Sequence, residues 1–242
     1  MFGRYVEPFL GGGAVFFHHL PKRSVLSDIN PKLINVYVSI RDNWQYVWEI
    51  LSKHQDHHCK EYYYQEREKV YTNASDKAAQ FLYLNRACWN GLYRENLAGV
   101  FNVPIGTKTK IISESDDFAQ ISLALKNSDI LSQDFSATIS SAGDGDFIFV
   151  DPPYTTAHNF NGFVKYNQSI FKWEDQIRLR DSLVAAGNRG AKVLLTNAFH
   201  TSVSNLYETF PIQIQLPRHS VISGPSSGRK QTSEVIITNY EP

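Results

Sequence analysis

Apolar residues fall into short blocks separated by turn formers, with stretches of helical spacing between them, which is the pattern of an α/β domain. Tyr5 to Phe9 predicts a first strand, the Gly11-Gly12-Gly13 run a turn, and Ala14 to Leu20 a short helix. Val25 to Ser27 predicts a second strand that ends at Asp28. Asn30-Pro31 opens a helix running toward Leu51, because proline suits a first helical turn and Leu33, Ile34, Tyr37 and Ile40 follow at helical spacing. Then the texture changes. Residues 54–73 are polar and rich in tyrosine, Ala78 to Arg86 predicts a compact helix, and 89–110 reads as a loop with little periodicity. Strand-like blocks return at Ile130 to Leu131, Phe147 to Val150, Val193 to Leu195 and Val235 to Tyr240. Early and late strands are therefore expected to share one sheet, formed by residues 1–52 and 114–242, around a mostly helical insertion at 53–113. SGPSSG at 223–228 predicts a hairpin loop before the last strand.

Two places concentrate chemistry. The run Glu7-Pro8-Phe9-Leu10-Gly11-Gly12-Gly13 joins a strand to a helix, where glycines let the chain turn tightly and let a ligand approach the backbone. Asp28, at the carboxyl end of the next strand, can accept both hydroxyls of a ribose. Together they suggest a nucleoside-containing ligand; a plain turn and a helix-capping Asp are the alternatives. The turn lacks G-x-x-x-x-G-K-[ST], so a phosphate-cradling NTPase loop is not supported.

The second place is Asp151-Pro152-Pro153-Tyr154. Four apolar residues make a buried strand, and the prolines stop it by removing backbone donors. An acid, free carbonyl oxygens and an aromatic face then meet at the carboxyl edge of the sheet. That set suits an aromatic amine, a poor nucleophile until its two hydrogens are accepted by Asp151 and the Pro152 carbonyl. Tyr154 could stack on an extruded base, and a methyl group on a sulfonium would be a fitting electrophile. A strand-terminating turn with a structural Asp is the bland alternative.

Composition changes the picture in three ways. No apolar run approaches the roughly 20 residues of a membrane span, and the start shows no secretory signal, so a cytoplasmic chain is expected. Cys59 and Cys88 lack the spacing of a metal or redox pair. His54, His57, His58 and Cys59 fit no zinc pattern, so no metal is expected. Lys and Arg number 24 against 24 Asp and Glu; a nucleic-acid partner would therefore need a local basic face.

With these motifs in view, the chain resembles the bacterial and phage DNA adenine methyltransferases that methylate GATC, whose motifs follow the order cofactor turn, target recognition, DPPY. EPFLGGGAVFFHHL resembles the cofactor turn, SDIN the ribose-binding acid, DPPY the catalytic motif, and LYLNRACWNGLYRENLAGVFNVPIG the DNA-recognition stretch. The resemblance implies a Rossmann-like sheet with an inserted DNA-recognition domain, and double-stranded DNA as partner. It implies S-adenosyl-L-methionine as donor, held by Glu7, Pro8, Phe9, Gly11, Gly13, Asp28, Asp134, Phe135 and Asp151. Asp151, Pro152, Pro153 and Tyr154 become the catalytic set. Asn90, Leu92, Arg94 and Pro104 become base readers, and Asn96 is a further DNA-binding residue. Arg86, Lys108 and Lys110 are expected on the DNA backbone, and Arg218, Arg229 and Lys230 form a second basic cluster reaching toward DNA. Residues 158–163 have the composition of a lid. A monomer is expected, and a cognate restriction endonuclease is compatible with the family.

Family members also carry, ahead of the cofactor turn, a segment of about the form K-W-x-G-G-K. Here Met1-Phe2-Gly3 stands in that place, and the expectation is a truncated start or a partly open cofactor site. A catalytically silent nucleic-acid-binding homologue is the rival reading. An enzyme acting on RNA or protein amide nitrogen is a second rival, which the long recognition match disfavours.

Overall fold

Segments with apolar side chains on both faces need cover on both sides, and four such segments, with a fifth at the edge whose second face is exposed, form the parallel part of one sheet. They are β1 (Tyr5–Glu7), β2 (Ser24–Asp28), β3 (Ser128–Ser132), β4 (Phe147–Val150) and β5 (Lys192–Ala198). β6 (Ile212–Arg218) and β7 (Thr232–Thr238) complete the order β3-β2-β1-β4-β5-β7-β6. β7 runs antiparallel between β5 and β6. The structure, a computed structural model, describes residues 3–96, 98–155, 171–218 and 232–241. β6 and β7 flank residues 219–231, where a hairpin loop is expected; SGPSSG itself lies outside the described residues.

A line of register runs through Val25, Val6, Ile148 and Val193. After β1 the chain builds outward through β2 and β3, then returns to place β4 on the other side of β1. That reversal opens a crevice at the carboxyl ends of β1 and β4.

One face of the sheet is covered by α6 (Phe135–Ser140), α7 (Trp173–Asn188) and α8 (Thr201–Leu206), which bury Ile139, Leu179, Leu183 and Val203 against Val6, Ile148, Val150 and Val193. The other is covered by α1 (Ala14–His19), α2 (Pro31–Asp56) and α5 (Phe118–Leu125), through Phe16, Ile34, Tyr37 and Leu125.

Asn30 caps α2 by accepting from the amides of Lys32 and Leu33, with Pro31 in the first turn. The helix breaks its regular geometry at Asn43 and continues to Asp56, four residues past the expected 52/53 boundary. Its second half carries Val47 and Leu51 into a separate core with Tyr63, Ala79, Tyr83 and Leu84 of α3 (Lys60–Glu68) and α4 (Ala74–Ala87). The tyrosine-rich stretch is thus partly helical: Tyr63 is buried and its hydroxyl donates to the Val103 carbonyl at 2.9 Å. Trp44 and Trp48 pack on this core, Trp48 edge-on to Phe118 at 5.1 Å.

Beyond α4 the irregular chain is pinned by backbone bonds, Gly106 N–H to Ala87 carbonyl at 2.7 Å and Trp89 N–H to Pro104 carbonyl at 2.9 Å. Gly106 lies so close to the end of α4 that a Cβ there would meet the Cys88 carbonyl oxygen at 2.6 Å. Neither backbone can give way without breaking this closure. Gly106→Ala is therefore expected to cost about 1–3 kcal/mol, seen as a lowered denaturant midpoint; an unchanged midpoint would show that the closure is soft.

Candidate active site

The glycine turn adopts left-handed backbone at Gly11 (φ 46°) and Gly13 (φ 64°), conformations that cost any residue with a Cβ. The Tyr37 hydroxyl donates to the Gly11 carbonyl at 2.8 Å and fixes the turn from the side of α2. Asp28 fixes it from below: one carboxylate oxygen accepts from Gly11 N–H at 3.1 Å, the other from Asn30 N–H at 2.9 Å. Asp134 ends the β3 turn and caps α6 through Ser136 N–H at 2.9 Å, and pairs with Arg178 at 3.0 Å. Burial works against its charge, but Arg178 and the Ser136 donors outweigh that and hold its pKa below the usual carboxylate value.

At the end of β4, Asp151 is exposed and accepts from the Thr196 hydroxyl of β5 at 2.7 Å. The Tyr154 hydroxyl donates to Glu234 of β7 at 3.2 Å. Burial, with Asp151 and Glu234 nearby, raises the Tyr154 pKa, so its hydroxyl stays protonated.

These turns converge. Pro8, Phe9, Gly11, Asp28, Asp134, Phe135, Asp151, Pro152 and Pro153 all line one cavity of about 890 Å³. Phe9 stacks on Phe135 with centroids 5.2 Å apart, Phe171 meets Phe9 edge-on at 5.7 Å, and the Arg178 guanidinium lies 4.7 Å over Phe135. Tyr154 is outside that lining. Gly13 and Glu7 are buried behind it, Gly13 with Phe17 and the Tyr37 hydroxyl within 3.3 Å of where a Cβ would be.

Residues 2–218 match the description D12 class N6 adenine-specific DNA methyltransferase. The chain belongs to this family. Similar proteins include a type II methyltransferase of Lactococcus lactis subsp. cremoris, 37% identical over an alignment 249 positions long that covers 99% of this chain and 87% of the relative. A type II methyltransferase of Methanocaldococcus jannaschii is 33% identical, over 98% of this chain and 88% of its own length. The DNA adenine methylase of Escherichia coli is 30% identical, over 98% and 86%. An adenine-specific DNA methyltransferase acts on DNA, and its class implies S-adenosylmethionine as methyl donor. No helix among the described residues is long and apolar enough to cross a membrane.

In residues 53–113 of this methyltransferase, Asn90, Leu92, Arg94, Pro104, Lys108 and Lys110 are exposed. Asn90 takes a left-handed backbone (φ 55°) in the 3-10 turn Trp89–Gly91, which turns the chain sharply after α4. Arg94 donates to Asn102 at 3.3 Å, and Lys110 pairs with Glu114 at 2.7 Å. Two residues expected at DNA have other work. Asn96 uses its side-chain oxygen to accept from Ala98 and Val100 N–H, which shapes its own turn. Arg86 holds both oxygens of Asp116, at 2.5 and 3.0 Å, and the Ile111 carbonyl at 3.1 Å, so its donors face inward. The backbone of Arg218 pairs with Thr232 at the end of β6; Arg229, Lys230 and the expected lid at 158–163 lie outside the described residues. His54 and His58 meet the hydroxyls of Tyr62 and Tyr83, and Cys59 caps α3. No group of three or more His, Cys, Asp or Glu among the described residues is arranged to hold a metal ion.

Sequence reading missed the cavity wall given by Ile29, Phe171, Lys172, Glu174, Asp175 and Arg178. The signal was present in Lys172-Trp173-Glu174-Asp175, a helix start with acids in its first turn; Asp175 accepts from Lys172 N–H at 2.9 Å.

Glu7 generates a pH prediction. Burial, with the charge of Asp151, pushes its pKa up to about 7 against the pull of the Tyr5 hydroxyl. The folded protein then binds a proton there more tightly than the unfolded chain, so the group costs no stability at low pH, and a penalty builds as pH rises from the ordinary carboxylate range to about 7 and stays complete above it. Glu7→Gln, which keeps an acceptor for Tyr5, is expected to exceed wild type in stability by on the order of 3 kcal/mol at pH 8, with the gap nearly closed at pH 5. Parallel urea titrations at the two pH values provide the check; a pH-independent gap would contradict it.

Proposed function

We propose that this enzyme transfers a methyl group from S-adenosylmethionine to the exocyclic amino group of an adenine swung out of duplex DNA, with GATC as the favoured target. We further propose residues 53–113, resting on the second half of α2, as the target-recognition unit, with 1–52 and 114–242 as the catalytic part. The convergence of the glycine turn, Asp28, Asp134-Phe135 and Asp151-Pro152-Pro153 on one cavity carries this reading.

The cavity suits such a donor. Its volume of about 890 Å³ lies within the range of small-molecule sites. A carboxylate has about four lone-pair positions, so Asp28 can serve two backbone amides and still accept from a ribose. Phe9 and Phe135 offer an apolar shelf beside Asp134 for a purine. Glu7 and Gly13 support the turn from behind. Bound there, the donor supplies an electrophilic methyl on a sulfonium.

The chain's own residues do the rest. Asp151 and the Pro152 carbonyl accept the two hydrogens of the adenine amine, which draws the nitrogen toward a pyramidal form and frees its lone pair. Pro153 stiffens the turn, and Tyr154 offers its ring as a stacking surface for the flipped base. Asn90, Leu92, Arg94 and Pro104 read base edges in the major groove. Lys108 and Lys110 contact phosphates. Arg86 serves indirectly, by holding the 111–116 segment under that face.

Asp151→Ala is expected to abolish methyl transfer to plasmid DNA, read as loss of protection from a methylation-sensitive nuclease, while calorimetry shows cofactor affinity largely intact. Retained turnover would refute the role given to Asp151. On the DNA side, Lys108→Ala is expected to weaken binding to all sequences alike and to flatten the slope of log K against log salt by roughly one. Arg94→Ala should instead cost about 1–3 kcal/mol on the cognate duplex alone. Equal losses on cognate and scrambled duplexes would remove Arg94 from base reading.

A further inference from the structure

Asp151 is held by a residue outside the DPPY turn. β4 and β5 run parallel with Val150 opposite Leu195, so the next residue on β5, Thr196, stands beside Asp151. Its hydroxyl has one proton and two acceptors in reach, Asp151 Oδ1 at 2.7 Å and the Val150 carbonyl at 3.3 Å. The nearer, charged acceptor takes it. Among the described residues Asp151 Oδ2 carries no hydrogen bond.

We propose that Thr196 is a positioning residue for methyl transfer: by occupying Asp151 Oδ1 it fixes the rotation of the carboxylate and leaves Oδ2 directed at the target amine. This rests on the catalytic reading of Asp151. A carboxylate free to rotate would present either oxygen at varied angles, and fewer bound complexes would hold the amine hydrogen in line. The role concerns turnover and leaves the binding of DNA and the extrusion of the base to other residues. Thr196 is half-buried, so a valine of the same shape removes the hydroxyl without opening a cavity.

The test compares wild type, Thr196→Val, Thr196→Ser, Thr196→Ala and Asp151→Ala on a cognate duplex, with a second duplex carrying 2-aminopurine at the target position to report base extrusion by fluorescence. Expected is a kcat about tenfold lower in Thr196→Val, the size of one lost hydrogen bond to a charged group. KM for DNA, cofactor affinity by calorimetry and 2-aminopurine emission stay at wild-type values, and Thr196→Ser restores kcat. Thr196→Ala repeats the loss and covers the case in which the valine variant fails to fold. Wild-type kcat in Thr196→Val and Thr196→Ala beside an inactive Asp151→Ala would overturn the proposal. So would a loss of kcat accompanied by equal losses in KM and emission that serine does not repair, since that marks a structural role. An active Asp151→Ala would instead bring down the catalytic reading on which the proposal rests.

Discussion

Asp28 joins two chain reversals with one carboxylate. Its oxygens receive an amide from the glycine turn after β1 and an amide from the start of α2 after β2. Neither amide has a partner in regular structure, because each belongs to a segment leaving the sheet, and an unpaired amide there would be costly. The position of α2 relative to the sheet follows from this link, and α2 in turn carries Tyr37 back to the Gly11 carbonyl. Turn, strand and helix thus form a closed loop of constraints at the point where the crevice opens.

The same edge gathers four acids, Glu7, Asp28, Asp134 and Asp151, and like charges so near one another must be accommodated individually. Asp28 is met by backbone amides, Asp134 by a guanidinium and serine donors, and Asp151 by exposure and a threonine hydroxyl. Glu7, shut away from water, is driven toward its neutral form. An edge built this way favours a cationic guest. It also explains how a chain with balanced charge can set acids at its cleft and still expose Lys108 and Lys110 elsewhere.

Much of the parallel sheet and its crevice was legible in the sequence because the signals are local. The prolines after Val150 stop β4 where expected, and Asn30-Pro31 begins α2 where expected. Elements whose formation depends on distant partners were harder to see. β6, with Ile, Gln and Leu alternating at a sheet edge, shows its strand character only beside β7, and α3 looks too polar until Tyr63 is buried against α4. The length of α2 was underestimated because Lys53, His54 and Gln55 appear as a change to polar texture, although His54 is buried beneath Tyr62 and Tyr83. Arg86 was legible as a basic residue near the recognition stretch, but its partner Asp116 lies 30 positions away, and no spacing rule connects them.

The antiparallel β7 changes what the sheet can offer. In a parallel sheet, only the segment after each strand arrives at the carboxyl edge, so each strand contributes one approach to the cleft. β7 enters the sheet from that edge, and β6 leaves the sheet there, with Arg218 opposite Thr232. The reversed strand therefore adds its own entry to that edge, and it is how Glu234, near the end of the sequence, comes to meet Tyr154, 80 positions earlier. Such a fold can alter that edge by changing how its last two strands are joined while every strand of the core keeps its register.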